Sequence, residues 1–409
     1  MSIRYISNIL AITGICLLLV TGSAFSGTFV NVRICDEIIN GNLAQVKVML
    51  DGGADPDIKL CLNGMTPLMV AASFNRPDIL KLLLRDSAGI NDINSTGVTA
   101  LMMAADKGDI ESVKVLLDNG AYINGRDRRD RTVLIRVLDV PVAQLDRRHM
   151  ADKMRAGTKL KGHLGVARFL VANGADLEWR DSEGRTALAV AAGHGHDEMA
   201  KLLAERGASV SSADNNGRTV LMAALAGGHT ELARFLIDKR ADLNAADDYG
   251  TNALLLAVGE GNNEAVVMRT GSGSDVRASD AEGITPLLMA VDKGNLEVAA
   301  ILMSKGADVN AADDVDRTPL AVAVEKNNIE MIKLLLHSHA DMNAGDETGR
   351  TPLIIAADKG YVNVVKMLIA GAGVDLDAED DSGETAMSAA SRRRFSDILN
   401  LLAAAKRRG

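Results

Sequence analysis

A threonine that returns every 33 residues constrains this chain more than any other feature of its 409 residues. Thr66, Thr99 and Thr132 keep that step, as do Thr186, Thr219, Thr285, Thr318 and Thr351. Asn252 fills the slot between Thr219 and Thr285, and Thr385 closes the series at a step of 34. Five residues past every one of these except Thr132 stands an alanine, such as Ala71, Ala104, Ala191, Ala224, Ala290 or Ala356. A fixed period of this length means one supersecondary unit copied many times, each copy burying its apolar face against its neighbours. Composition agrees: apolar residues are 47% but aromatics only 3%, which suits thin helices packed closely.

The frame also dictates local structure. Asp-x-x-Gly, as in Asp214-Asn215-Asn216-Gly217, is turn chemistry with Gly at a positive-φ position. Thr then caps a helix, and Pro, as in Thr351-Pro352-Leu353, suits its first residue. After a Gly-containing break such as Asp106-Lys107-Gly108, a second helix spaces its apolar residues at three and four. Gly at the unit end, as in Gly306-Ala307-Asp308, closes that helix.

These residues closely resemble the ankyrin repeat family, whose signature is Gly-x-Thr-Pro-Leu-His. The family's His is absent throughout; Met69, Met102, Ile135, Ala189 and Met222 are among its replacements. The resemblance implies an all-α solenoid of stacked helix pairs, with β-hairpin or turn fingers along one edge. It covers residues 30–409 in about eleven repeats: 30–62, 63–94, 95–126, 127–180, 181–213, 214–246, 247–279, 280–312, 313–345, 346–379 and 380–409. The first and last are degenerate, as capping repeats are. The family implies a protein partner, with no catalytic residue, cofactor or metal.

Residues 1–26 stand apart. Arg4 precedes an apolar run of twelve residues, Ile9 to Val20, and small residues follow at Gly22, Ser23, Ala24 and Ser26. That order describes a secretory signal peptide, and a spanning helix needs roughly 20 apolar residues. Cleavage predicts a periplasmic or secreted protein, an exported, bacterial-type member of the family, with no membrane span afterwards. An uncleaved membrane anchor is the alternative. The net charge of −9 argues against a nucleic-acid partner.

Function in such an array is sought where it departs from its own frame. Repeat four holds a 21-residue insertion at about 140–161, with Arg147, Arg148, Lys153 and Arg155 among its basic residues. The finger before it carries Arg126, Arg128, Arg129 and Arg131. One reading is a docking patch for an acidic partner or phosphate-bearing ligand; the other is a solvated loop whose charge keeps it soluble. The varied finger positions Glu183, Asn216 and Tyr249 are further candidates for partner contact. In repeat seven, Arg269-Thr270 replace the apolar pair that ends the second helix, which predicts a shortened helix and a soft joint. Cys35 and Cys61 are the cysteines left after export, and an oxidising compartment makes them a candidate disulfide.

An enzyme or metal-dependent accessory built on the basic insertion is the competing class. Gly-rich phosphate loops, nucleophile elbows and Cys-x-x-Cys pairs are missing from the sequence. His194-Gly195-His196 looks like a ligand pair but coincides with the helix break matched at Gly228-His229.

Overall fold

The computed structural model describes residues 25–59, 64–140 and 153–407; side chains are described from residue 33, and not for 153–161. The described residues hold 22 α-helices. The chain divides into two compact parts, 1–182 and 183–409.

The N-terminal part contains α1 (Phe25–Asn40), α2 (Leu43–Asp51), α3 (Pro67–Ser73), α4 (Pro77–Arg85), α5 (Ala100–Lys107), α6 (Ile110–Asp118), α7 (Val133–Leu138) and α8 (Lys153–Ala172). The C-terminal part begins with α9 (Ala187–His194), α10 (Asp197–Glu205), α11 (Val220–Ala226), α12 (Thr230–Asp238), α13 (Ala253–Gly259) and α14 (Asn263–Gly271). It continues with α15 (Pro286–Asp292), α16 (Leu296–Ser304), α17 (Pro319–Glu325), α18 (Ile329–His337), α19 (Pro352–Lys359), α20 (Val362–Ile369), α21 (Ala386–Arg393) and α22 (Ser396–Lys406). Within each part, the first helix of a repeat packs on its own second helix and on the first helix of the next repeat.

The threonine period is a series of N-caps. Thr66, Thr99, Thr186, Thr285, Thr318 and Thr351 each accept, through Oγ1, the backbone N–H three residues on, at 3.2–3.4 Å. Asn252 does the same work with Oδ1, accepting from Leu254 and Leu255 at 2.9 and 3.0 Å. These caps are themselves buried, so each satisfies donors that water does not reach. Where the family's His would stand, Met69, Met102, Ile135 and Met222 are fully buried, and the slot becomes part of the apolar core.

The second helix buries one narrow stripe. Val298, Ala299 and Leu302 in α16 repeat as Met331, Ile332 and Leu335 in α18, all inaccessible to solvent. Repeat seven corrects the expectation of a shortened helix: α14 runs its full nine residues. Arg269 occupies the slot of Leu236 and Leu302 and is likewise inaccessible. Its Nη2 donates to the Leu243 carbonyl, while Nε and Nη1 find no hydrogen-bond partner. Burial holds its guanidinium down to about 10, against a weaker opposing pull from Asp242. The regularity of the neighbouring helices overrides the local cost of the charge.

Candidate functional site

The fingers carry the variation between repeats, and their geometry explains how. Fingers such as those of repeats seven and nine open on an acid, and that of repeat three on Asn94, whose Oδ1 accepts two backbone N–H groups, two and four residues on. Asp247 takes those of Tyr249 and Thr251 at 3.0 and 2.9 Å, and Asp313 those of Val315 and Arg317 at 3.2 and 2.9 Å. Adjacent fingers are then joined by main-chain bonds. In the C-terminal part Asn215 N donates to Glu183 O, Asp248 N to Asn216 O and Ala281 N to Tyr249 O, at 2.8–2.9 Å. Gly250 makes the close approach feasible: its φ is +73°, and a Cβ there would lie 2.9 Å from Ala281 N. Within a finger, the two arms meet among the described residues at isolated antiparallel bridges such as Ala213–Thr219 and Ala246–Asn252. The fingers are turns rather than extended hairpins.

Because this ladder uses main-chain atoms alone, it makes no demand on the side chains at the tips. Glu183 and Asn216 are exposed, and Tyr249 is 59% exposed despite its size. The Glu183 carboxylate lies 3.3 Å from Arg185.

In the N-terminal part the basic finger of repeat four resolves into two classes. Arg128 and Arg129 are exposed, and neither has an ion pair among the described residues. Their backbones join the ladder: Arg128 N donates to Thr96 O, and Arg129 O accepts from Ser182 N. Arg131 corrects the expectation of an outward patch. Its guanidinium donates to Asp127 Oδ2 at 2.8 and 3.0 Å and to Asp139 Oδ2 at 2.9 Å, with its side chain only 20% exposed. Arg136, which sequence reasoning missed, joins the same network by pairing with Asp127 and Asp106. Burial pushes the Asp127 carboxyl up, but hydrogen bonds from Arg131, the Arg129 and Arg131 amides and Arg136 outweigh it and hold the carboxyl below its usual range. Arg126 is drawn aside as well. It lies 4.7 Å over the ring of Trp179 and 3.5 Å from Asp130, whose carbonyl accepts the Trp179 indole N–H at 2.8 Å. Trp179 is the chain's one tryptophan, a signal available in the sequence.

Arg147 and Arg148 lie outside the described residues. Lys153 and Arg155 stand on α8, which runs 20 residues where other second helices have eight to eleven. The last nine residues of the insertion therefore continue the helix instead of forming loop. Cys35 is buried and disulfide-bonded; Cys16 and Cys61 lie outside the described residues, as does the N-terminal apolar run.

Three histidines have structural posts. His163, 4% exposed, bonds the Asp106 carbonyl through Nε2 at 3.0 Å, and His196 and His229 stand at the N-cap positions of α10 and α12. Among the described residues, no group of three or more His, Cys, Asp or Glu is placed to hold a metal. No described helix is long and apolar enough to cross a membrane.

Among curated proteins none matches the chain. A family model for ankyrin repeats, in sets of three copies, matches residues 34–127, 158–214, 209–268, 254–346 and 337–408. Those matches span well over half of the sequence, and the capped helix pairs and laddered fingers account for them physically. The chain belongs to the ankyrin repeat family.

Proposed function

We propose that this chain is a non-catalytic scaffold that binds a protein partner outside the cytoplasm, with the finger tips contributing to the contact. Ankyrin repeats generally mediate protein–protein interaction, and the family is typically non-enzymatic. The observation that carries the reading is the finger ladder. Main-chain bonds fix each tip, so the side chains of Arg128, Arg129, Asn216 and Tyr249 vary without disturbing the repeat. Arg128 and Arg129 suit an acidic surface, and Tyr249 supplies the large amphipathic area common at interface centres. Action outside the cytoplasm rests on residues 1–26 alone, with their basic start, apolar run and small-residue exit.

Two measurements test the proposal. The mass of the mature chain from an extracytoplasmic fraction should begin after Ala24 or Ser26; a chain beginning at Met1 overturns the placement. Crosslinking in the native compartment, with residues 140–161 present and deleted, should recover a stoichiometric protein partner from the intact chain. Recovery of none overturns the scaffold reading, and loss on deletion assigns the contact to repeat four.

A further inference from the structure

The finger arginine is a recurring part with a recurring partner. In repeats four, nine and ten it is Arg131, Arg317 and Arg350, and each pairs with the acid of its own finger at 2.7–2.8 Å. A second acid stands eight residues further on, at the end of the first helix. Asp139 bonds Arg131 at 2.9 Å, and Glu325 and Asp358 attract Arg317 and Arg350 through space. Repeat eleven reverses the charges and keeps the pair, with Arg392 Nε 2.7 Å from Glu384.

Repeats five and six lack the second acid. Arg185 and Arg218 hold the arginine slot, but the residues eight further on are Gly193 and Ala226. The Arg218 guanidinium does not pair with the carboxylate of its own Asp214, which takes from Arg218 only the backbone amide. Its nearest acid is Asp247 of the next finger, 3.6 Å from Nε, and its side chain is 53% exposed. Where the two acids are missing the surface opens into a cleft of about 280 Å³. Arg185, Arg218 and His194 line it together with Asp214, whose Oδ1 already accepts the Asn216 and Arg218 amides. Its apolar lining includes Ala189, Met222 and Ala226.

We propose that this cleft binds an acidic side chain of a partner protein, carried beside small apolar residues, with Arg218 as its principal contact and Arg185 as a second cation. The ligand supplies the carboxylate that other repeats supply from their own helix. A guanidinium offers paired donors in a plane that a carboxylate matches, and Gly193 and Ala226 leave room for the neighbouring small residues. The proposal rests on the protein-binding reading above and narrows it to one pocket.

The test is a random dodecapeptide display library panned on the full chain, followed by titration of the enriched peptides as synthetic probes. Arg218→Gln removes the cation at a half-exposed position. Ala226→Asp restores the acid found at Asp292 and Asp358, at a site that is exposed here. The expected result is enrichment of peptides with Asp or Glu flanked by small apolar residues, their binding weakened about tenfold by each variant. The same peptides bind an Arg128→Ala, Arg129→Ala chain unchanged. Peptides that bind both cleft variants normally and lose binding to the finger variant overturn the pocket and leave the scaffold reading standing. No enrichment over an unrelated protein counts against both. Unfolding midpoints of the two cleft variants within error of the parent exclude misfolding as the cause of any loss.

Discussion

Replacing Arg269 with leucine should stabilise this protein, although leucine makes fewer polar contacts. Arg269 is inaccessible to solvent, and two of its guanidinium nitrogens have no hydrogen-bond partner. Each unpartnered donor costs about 1 kcal/mol at the lower end of the usual range. Leucine relieves both and adds about 2 kcal/mol of apolar burial. Against that, the bond to the Leu243 carbonyl is lost, at about 1 kcal/mol, and the smaller side chain leaves a void costing about as much again. The net expectation for Arg269→Leu is a gain of about 2 kcal/mol. An independent bound comes from the drop of the guanidinium from its ordinary value to about 10, worth ~3 kcal/mol against the charged form. Between those two values the unfolded chain binds more protons than the folded one, so raising the pH relieves the penalty. Equilibrium urea unfolding followed by circular dichroism is the assay. The midpoint should rise by up to about 1 M in the leucine variant, and the gap to the parent should narrow as pH climbs from about 9 toward 11. Arg269→Lys, which keeps a buried charge, should show no gain. A leucine variant with an unchanged or lower midpoint at pH 7 would refute the reasoning, because it would mean that those nitrogens are satisfied.

Three further outcomes follow from the same geometry. Asn252→Ala removes a cap that accepts two buried amides, and should lower stability by about 1–2 kcal/mol in a calorimetric or urea comparison. Asp127→Asn breaks the pairing with Arg131 and Arg136 and should cost about 3 kcal/mol near neutral pH. Since the folded carboxyl sits below 3.8, that difference should hold above about pH 5 and shrink as pH falls through and below 3.8, as parallel urea titrations will record. Gly250→Ala forces a Cβ against Ala281 N in a left-handed backbone, and should speed amide exchange of Ala281 while costing more than about 1 kcal/mol.

The repeat was legible because its signals are local and numerous. A Thr cap, a turn-opening Asp and a terminating Gly each act within four residues, and ten spaced copies leave no room for another fold. The family's missing His proved harmless for a reason also visible in sequence, since Met69 and Met222 are apolar replacements that the core absorbs. Side-chain partnership was less legible. Arg126, Arg128, Arg129 and Arg131 look alike as a basic run, yet Asp127 and Asp139 claim Arg131 and Trp179 claims Arg126. Separating them requires knowing which residues the turn brings within 3 Å, and that is a property of the folded finger. Arg269 shows the opposite failure. The local rule that charge avoids the core predicted a frayed helix, but packing on both neighbouring repeats holds α14 at full length. The Arg218 cleft was legible in principle, because an arginine lacking an acid eight residues on stands out once repeats are compared slot by slot.

The central claim, that the finger edge meets a protein partner, is tested most directly by site-specific photocrosslinking in the native compartment. A photoreactive residue is placed at Asn216, on a finger tip, and in a second chain at Lys239, just past the end of α12. The account predicts a discrete adduct of one partner's mass from position 216 and none from position 239. No adduct from 216, or the same adduct from both positions, would contradict it.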